Sequence, residues 1–332
     1  MRIERDICYD ELNRKNLCDI YFQENTISKP VVLIVHGGFW SLGCKEEMQE
    51  IACFLAQNYV CVAVEYTLSN FDNDLFQKIV VSELLTFLIL MLVISSSPLK
   101  VGLLFAAFFL SVYAIVKMAL VCTMEEKTHP VHVQDIAKSI KFVYNSIDKY
   151  GGDKNRIFLL GHSSGAHLVS LVTVNPRFLN SLNISPKIIR GVISISGPYS
   201  YWRMQESSVK YITNRSVFGD LSTNLTPAHL NNIEPAQYDT WAKIIDAWPI
   251  FHEYAINEQT PPFLLLTAGI DLSLLYHARD FADVLKRNNA HVQVVHFDST
   301  NHFSIRTKWM DKNKEVGSIV QSFIKTIEEN SL

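Results

Sequence analysis

Apolar residues occur along the chain in short continuous runs, and each run is followed by a stretch in which apolar positions recur every three or four residues. Runs that are apolar on both faces are typical of buried parallel strands. A recurrence of apolar positions every three or four residues is typical of amphipathic helices. The predicted strands are residues 31–35, 60–66, 156–161, 191–196, 263–269 and 292–297.

The predicted helices lie between and after these strands, at residues 46–57, 132–150, 165–174, 278–287 and 312–329. Because strands and helices alternate, the pattern predicts an α/β fold with a mostly parallel sheet covered by helices on both faces. Residues 1–78 and 128–332 are predicted to form this core. Within the second part, residues 197–259 are rich in aromatic side chains and poor in strand-like runs, which predicts a helical cap.

One apolar block interrupts the alternation. Residues 84–116 contain a single charge, Lys100, and Pro98 breaks any continuous helix there, so the segment 79–127 divides into two apolar arms. Both ends of the segment adjoin the predicted core, so the chain must leave and return on the same side of any membrane. We expect a hydrophobic helical hairpin that associates with a membrane through residues 79–122. The alternative is a hydrophobic helical lid.

Composition and charge narrow the class of protein. The 332 residues carry 30 basic and 33 acidic side chains, and a net charge of −3 argues against nucleic acid as a partner. The six cysteines have no CxxC spacing, which argues against a zinc site or a disulfide framework. The charged N-terminus predicts no cleavable secretory signal. Lysines at the base of the insert favour an endomembrane location with the core facing the cytosol, and a cytoplasmic protein is the alternative.

A nucleophile motif follows the strand predicted at 156–161. In GHSSGAH, glycines stand two residues before and two after Ser163, where a strand turns into a helix. Glycines there let the strand and the helix approach without a Cβ clash, and the serine lies at the tip of the turn. Ser163 is therefore the nucleophile candidate, since Ser164 lacks that pair of glycines. His162 and His167 are expected to pack and to form hydrogen bonds rather than to act as the base.

A second motif, HGGFW, follows the strand predicted at 31–35. Consecutive glycines can turn backbone N–H groups toward a negatively charged oxygen without interference from side chains. Gly37 and Gly38, together with the N–H of Ser164, are predicted to form an oxyanion hole. His36 is expected to shape this loop, and a role as the base is the alternative.

The acid and the base are expected to follow the serine in the chain, in that order. Asp271 and His302 each follow a predicted strand, so both are expected at the same sheet edge as Ser163. Asp298 is the alternative acid because it shares a loop with His302.

The motifs HGGFW, GHSSGAHL and NHFSI resemble those of α/β-hydrolases in the hormone-sensitive-lipase-like branch, and within it those of kynurenine formamidases and isoprenylcysteine methylesterases. The resemblance covers residues 15–78 and 128–325, roughly. It implies that Ser163 is the nucleophile, Asp271 the acid and His302 the base of a two-step acyl transfer that needs neither a metal nor a cofactor.

The resemblance leaves the substrate open among small-molecule and lipid-like esters and amides: a prenylcysteine methyl ester, an N-formyl aromatic amide or a simple short-chain ester. Phe39, Trp40, Tyr199 and Trp202 are predicted to line the pocket, and ordinary aromatic packing is the alternative for the last two. A non-catalytic binding protein on this fold would usually lack the serine or the histidine. A channel or transporter would need more than two short apolar arms.

Overall fold

The computed structural model describes residues 1–25, 27–69, 127–207, 238–307, 309–310 and 314–330. The strands are β1 Arg2–Cys8, β2 Leu17–Phe22, β3 Lys29–Val35, β4 Val60–Val64, β5 Gly152–His162, β6 Ile189–Ile195, β7 Phe263–Ile270 and β8 Val292–Asn301. In the described residues they form one eight-stranded sheet in the order β1-β2-β4-β3-β5-β6-β7-β8. The β1–β2 and β2–β4 pairs are antiparallel, and all pairs from β4 to β8 are parallel.

Helices cover both faces of this sheet. They are α1 Gln49–Leu55, α2 Val131–Ser146, α3 Ser164–Val174, α4 Arg177–Asn180, α5 Tyr201–Glu206, α6 Tyr238–Ala247, α7 Leu274–Arg287 and α8 Lys314–Glu329, with 3₁₀ turns at Lys45–Met48, Ile147–Tyr150, Pro186–Ile188, Pro249–Ala255 and Ser304–Arg306. One apolar core joins the sheet to α2, α3 and α7, and a second joins its other face to α1 and α8. Along β3, Leu33 belongs to the first core and Val32 to the second, as the period of two in a strand requires. The predicted mostly parallel sheet with flanking helices is confirmed.

The first two strands were not among those predicted. β2 carries an acidic residue, Asp19, at a fully buried position. Its carboxylate is paired with the guanidinium of Arg5 at 2.9 Å and with the ammonium of Lys45 at 3.1 Å. A buried charge is tolerated when such partners are present, but the charge interrupts the apolar run by which strands are recognised.

The predicted hydrophobic insert, residues 79–127, lies outside the described residues except for Lys127, and the described chain before it ends at Ser69. The Ser69 hydroxyl donates to the carbonyl oxygen of Lys127 at 2.6 Å, and Nε2 of His132 lies 2.7 Å from the same hydroxyl. The Ser69 N–H donates to the carbonyl oxygen of Trp40 at 2.8 Å. The described chain thus stops at Ser69 and resumes at Lys127 in one place, beside the loop that follows β3.

The predicted cap is described in part, because residues 208–237 lie outside the described ranges. On either side of them, α5, α6 and the turn Pro249–Ala255 are helical. None of the helices in the described ranges has both the length and the apolar character that a bilayer crossing requires.

Two buried histidines hold helices to the core. Burial lowers the pKa of His132 in α2 to about 3 and that of His167 in α3 to about 3, so both rings are neutral in the folded protein near pH 7. In the unfolded chain the same rings bind a proton near pH 6.5. A proton that only the unfolded chain binds favours unfolding. The stability contributed by these rings is therefore complete above about pH 6.5 and is lost as the pH falls toward their folded pKa.

We expect the free energy of unfolding to decrease as the pH is lowered from 7 to 4.5, and to decrease less steeply in a His132→Gln variant, by up to about 1.4 kcal/mol per pH unit. Urea unfolding at several pH values measures both slopes. His291→Gln is the matched control, because His291 is exposed, and it should keep the wild-type slope. Equal slopes in the wild type and in His132→Gln would contradict this account.

Candidate active site

The turn between β5 and α3 brings Ser163 to the sheet edge in a strained conformation. Its φ of 54° and ψ of −120° lie outside the regions that side-chain-bearing residues favour. A Cβ atom on Gly161 would collide with the carbonyl oxygen of Gly165. One on Gly165 would collide with the carbonyl oxygens of Val35 and His36. Glycine at both positions is therefore required for the strand and the helix to approach this closely.

The structure brings Ser163, Asp271 and His302 together at the carboxyl ends of β5, β7 and β8. Nε2 of His302 lies 3.1 Å from Oγ of Ser163, and Nδ1 of His302 lies 2.6 Å from Oδ1 of Asp271. All three side chains are buried. Because an ionised carboxylate only accepts hydrogen bonds, Nδ1 of His302 carries the ring proton and Nε2 presents its lone pair to the serine hydroxyl.

The carboxylate of Asp271 is held by further bonds. Its Oδ2 accepts from the Ser196 hydroxyl at 2.7 Å and from the N–H of Ala268 at 3.0 Å. The N–H of His302 donates to the carbonyl oxygen of Ile270 at 2.8 Å, which ties the two loops together. Ser196 was not singled out in the sequence, although its position at the end of a predicted strand was the signal that could have identified it.

The alternative acid, Asp298, lies elsewhere. Its side chain is 96% exposed, and its carboxylate pairs with Nε2 of His296 at 3.1 Å. The carboxylate within hydrogen-bond distance of His302 is that of Asp271.

The loop after β3 lies against the nucleophile turn. A Cβ atom on Gly37 would stand 2.9 Å from Cβ of Ser163, so the two backbones are in contact. Gly38 has a φ of 122°. Ser164 is the first residue of α3, and the first N–H groups of a helix have no acceptor within the helix. Gly37 and Ser164 thus lie beside Ser163.

His36 contacts this loop and the residues that follow β4. Its Nδ1 donates to the carbonyl oxygen of Gly37 at 2.7 Å, its Nε2 lies 3.4 Å from the carboxylate of Glu65, and its ring stacks on Tyr66. These contacts agree with a loop-shaping role for His36.

Two more histidines hold the loops around Ser163. Nε2 of His162 donates to the carbonyl oxygen of His302 at 2.7 Å. Nδ1 of His167 accepts from the indole of Trp40 at 3.3 Å, and its Nε2 donates to the carbonyl oxygen of Ala247 at 2.8 Å. Burial lowers the pKa of His162 well below its ordinary value and that of His167 to about 3. Both rings are neutral and support the site through hydrogen bonds.

A cavity opens beside Ser163 and His302. Two of the predicted pocket residues, Phe39 and Trp40, line it, and the other lining residues include Pro198, Met204, Leu274 and His277. His277 is not among the predicted pocket residues, because its place on a helix face gives no sign that the cavity adjoins it.

The other two predicted pocket residues, Tyr199 and Trp202, are not among the described residues that line this cavity. The Tyr199 hydroxyl donates to Ser194 at 2.7 Å and its ring stacks on Phe281, so it fills the core behind the site. Trp202 packs on other aromatic rings of the cap region, including Trp241. Ordinary aromatic packing accounts for both.

These groups together suit attack on a carbonyl carbon. A hydroxyl can pass its proton to an imidazole that a buried carboxylate orients.

Known proteins similar to this chain include a probable carboxylic ester hydrolase, LipM, of Mycobacterium tuberculosis, which is 24% identical over 294 residues, 85% of this chain and 51% of the relative. The isoprenylcysteine alpha-carbonyl methylesterase ICME of Arabidopsis thaliana is 23% identical over 307 residues, 91% of this chain and 56% of the relative. The chain thus spans about half the length of these curated relatives.

Solved structures share the fold. Esterase B from Lactobacillus rhamnosis has a TM-score of 0.66 at 13% identity, over 99% of this chain and 87% of that one. A truncated carbohydrate esterase from gut microbiota has a TM-score of 0.65 at 12% identity, over 98% and 96%. The BD-FAE family model matches residues 18–80 and 99–280. Since that match covers most of the sequence, the chain belongs to the BD-FAE family of α/β-hydrolase-like domains.

Proposed function

We propose that this protein is a carboxylic ester hydrolase that works through an acyl-enzyme on Ser163. The observation that carries the proposal is the chain of contacts from Asp271 through His302 to Ser163, at 2.6 and 3.1 Å, beside a small cavity. The names of the relatives, a carboxylic ester hydrolase and a methylesterase, point to the same reaction class.

In the first step the Ser163 oxygen attacks the ester carbonyl and its proton passes to Nε2 of His302. Asp271 keeps the ring in the required tautomer and stabilises the imidazolium that forms. The N–H groups of Gly37, Gly38 and Ser164 bind the negatively charged oxygen.

The tetrahedral intermediate collapses as His302 returns the proton to the leaving alkoxide, and the alcohol departs. A water molecule then gives its proton to His302 and attacks the acyl-enzyme by the same route, which releases the acid and restores Ser163.

For the substrate, we propose an ester with an apolar group, and a prenylcysteine methyl ester is the first candidate. Phe39, Met204 and Leu274 give the cavity an apolar lining. Around its mouth, the apolar side chains next to the acid and the base are exposed: Ile270, Leu272, Tyr276 and Phe303. An N-formyl aromatic amide is the second candidate, favoured by the aromatic Phe39 in the oxyanion loop.

Membrane association belongs to the same proposal. It is supported by the apolar sequence at 84–116 and by Ser69, which precedes the insert in the chain and whose N–H donates to the carbonyl oxygen of Trp40. The exposed apolar side chains next to the acid and the base, named above, lie at the same edge of the sheet. In this arrangement the cavity mouth faces an endomembrane and the core lies on its cytosolic side.

Ser163→Ala should abolish labelling by a fluorophosphonate probe and lower kcat/KM on p-nitrophenyl acetate by roughly 10⁴-fold, because the nucleophile is lost. Ser170→Ala is the matched control: Ser170 lies on the same helix and its hydroxyl bonds to the carbonyl of Ala166. Labelling that persists in Ser163→Ala would overturn the assignment of the nucleophile.

Asp271→Asn should lower kcat by up to roughly 10⁴-fold, because an amide at this position no longer holds His302 in the tautomer that accepts the serine proton. Asp298→Asn should retain wild-type activity, since the carboxylate of Asp298 pairs with His296. Steady-state kinetics on p-nitrophenyl acetate measures both variants. The reverse result would make Asp298 the acid.

Replacement of residues 70–126 by a short Gly-Ser linker should be tolerated, because Ser69 and Lys127 are in hydrogen-bond contact. We expect the variant to lose sedimentation with phosphatidylcholine vesicles and to retain hydrolysis of p-nitrophenyl acetate. Its rate on a prenylcysteine methyl ester presented in those vesicles should fall relative to the full chain. A variant that still sediments with vesicles would refute the membrane role of the insert.

A further inference from the structure

His277 lies in α7 and lines the cavity beside Ser163 and His302. The residue is only 2% exposed. Its Nδ1 accepts hydrogen bonds from the N–H groups of Tyr199 and Ser200, each at 3.2 Å. The mechanism described above assigns no part to this ring.

The two bonds at Nδ1 determine where the ring proton is. Backbone N–H groups can only donate, so Nδ1 of His277 must present its lone pair, and the neutral ring carries its proton at Nε2. Burial lowers the pKa of His277 to about 4, which keeps the ring neutral near pH 7. Within the described part of the chain, both hydrogen bonds of the ring are made at Nδ1, and Nε2–H has no protein acceptor.

Apolar side chains make up much of the described lining of the cavity beside His277. Pro198, Met204 and Leu274 line the same cavity, and Ser207 is the other polar side chain there apart from the residues already assigned to the reaction. This donor has no acceptor among the described residues, and a ligand that covers it without supplying an acceptor carries a desolvation cost. A site built in this way discriminates against ligands that lack the acceptor.

We propose, on the basis of the hydrolase function proposed above, that the Nε2–H of His277 is a specificity-determining donor for the substrate. The substrate class is an ester with a hydrogen-bond acceptor, such as an ether or amide oxygen, within a few bonds of the scissile carbonyl. The acceptor lies on either the acyl or the leaving-group side, and matched substrates distinguish the two.

Two substitutions separate this role from a purely structural one. His277→Asn keeps an acceptor near the position of Nδ1, so the N–H groups of Tyr199 and Ser200 remain bonded, but the donor at the Nε2 position is lost. His277→Gln keeps a donor near the Nε2 position and loses the acceptor at Nδ1. Thermal unfolding of both variants reports on the structural role.

The test uses pairs of esters that differ in one atom, an ether oxygen in place of a methylene group. p-Nitrophenyl methoxyacetate and butyrate probe the acyl side, and the 2-methoxyethyl and butyl esters of one acid probe the leaving-group side. The ratio of kcat/KM within a pair is compared between proteins, which cancels the intrinsic reactivity of each ester. In one of the pairs, we expect His277→Asn to lower the ratio roughly three- to tenfold and His277→Gln to retain it.

Fluorophosphonate labelling of Ser163 distinguishes a failure of the His277 role from a failure of the hydrolase function. If His277→Asn is labelled like the wild type and keeps the wild-type ratio in both pairs, the role of His277 is overturned while the hydrolase function stands. The role is also overturned if His277→Gln alone loses the ratio, because that result assigns the ring to backbone support. If the wild type is neither labelled nor active on any of these esters, the hydrolase function itself fails.

Discussion

The packing of the first turn of α3 against the ends of β3 and β5 is the contact on which the site depends. Gly165 lies against the carbonyl groups of Val35 and His36, and Gly161 lies against Gly165. The loop that carries the predicted oxyanion residues continues from β3, and Ser163 stands at the start of α3. Their separation is therefore determined by backbone contact, and any side chain at the two glycines would increase it. The strained φ of Ser163 is maintained by the same packing.

Buried neutral histidines form a second layer of support around this contact. A neutral imidazole has one donor and one acceptor nitrogen, so a partner at one nitrogen determines the role of the other. His167 joins the loop of Trp40 to the end of α6, and His162 holds the backbone of His302. His277 uses one nitrogen on the backbone near α5, and the residue lines the cavity. Burial favours the neutral form in each of these three rings, which keeps the loops around Ser163 bonded near neutral pH.

Ser69 and Lys127, the described residues nearest to the predicted insert in the chain, are in contact. Ser69 and Lys127 are joined by a hydrogen bond, so the connection from β4 to α2 is already closed within the core. The entropic cost of a longer loop between neighbouring ends grows only with the logarithm of its length.

The local hydrophobic pattern is sufficient to predict the six parallel strands, because buried strands are apolar on both faces. It is also sufficient to predict that Ser163, Asp271 and His302 lie at one sheet edge, because parallel strands end on the same side. The tertiary structure alone decides the rest. Asp19 is compatible with a strand only because Arg5 and Lys45 reach it, and Asp271 rather than Asp298 meets His302 only because their loops are bonded together. The same holds for His277, whose free nitrogen is defined by backbone groups from another part of the chain. Such contacts join residues far apart in sequence, and packing determines them.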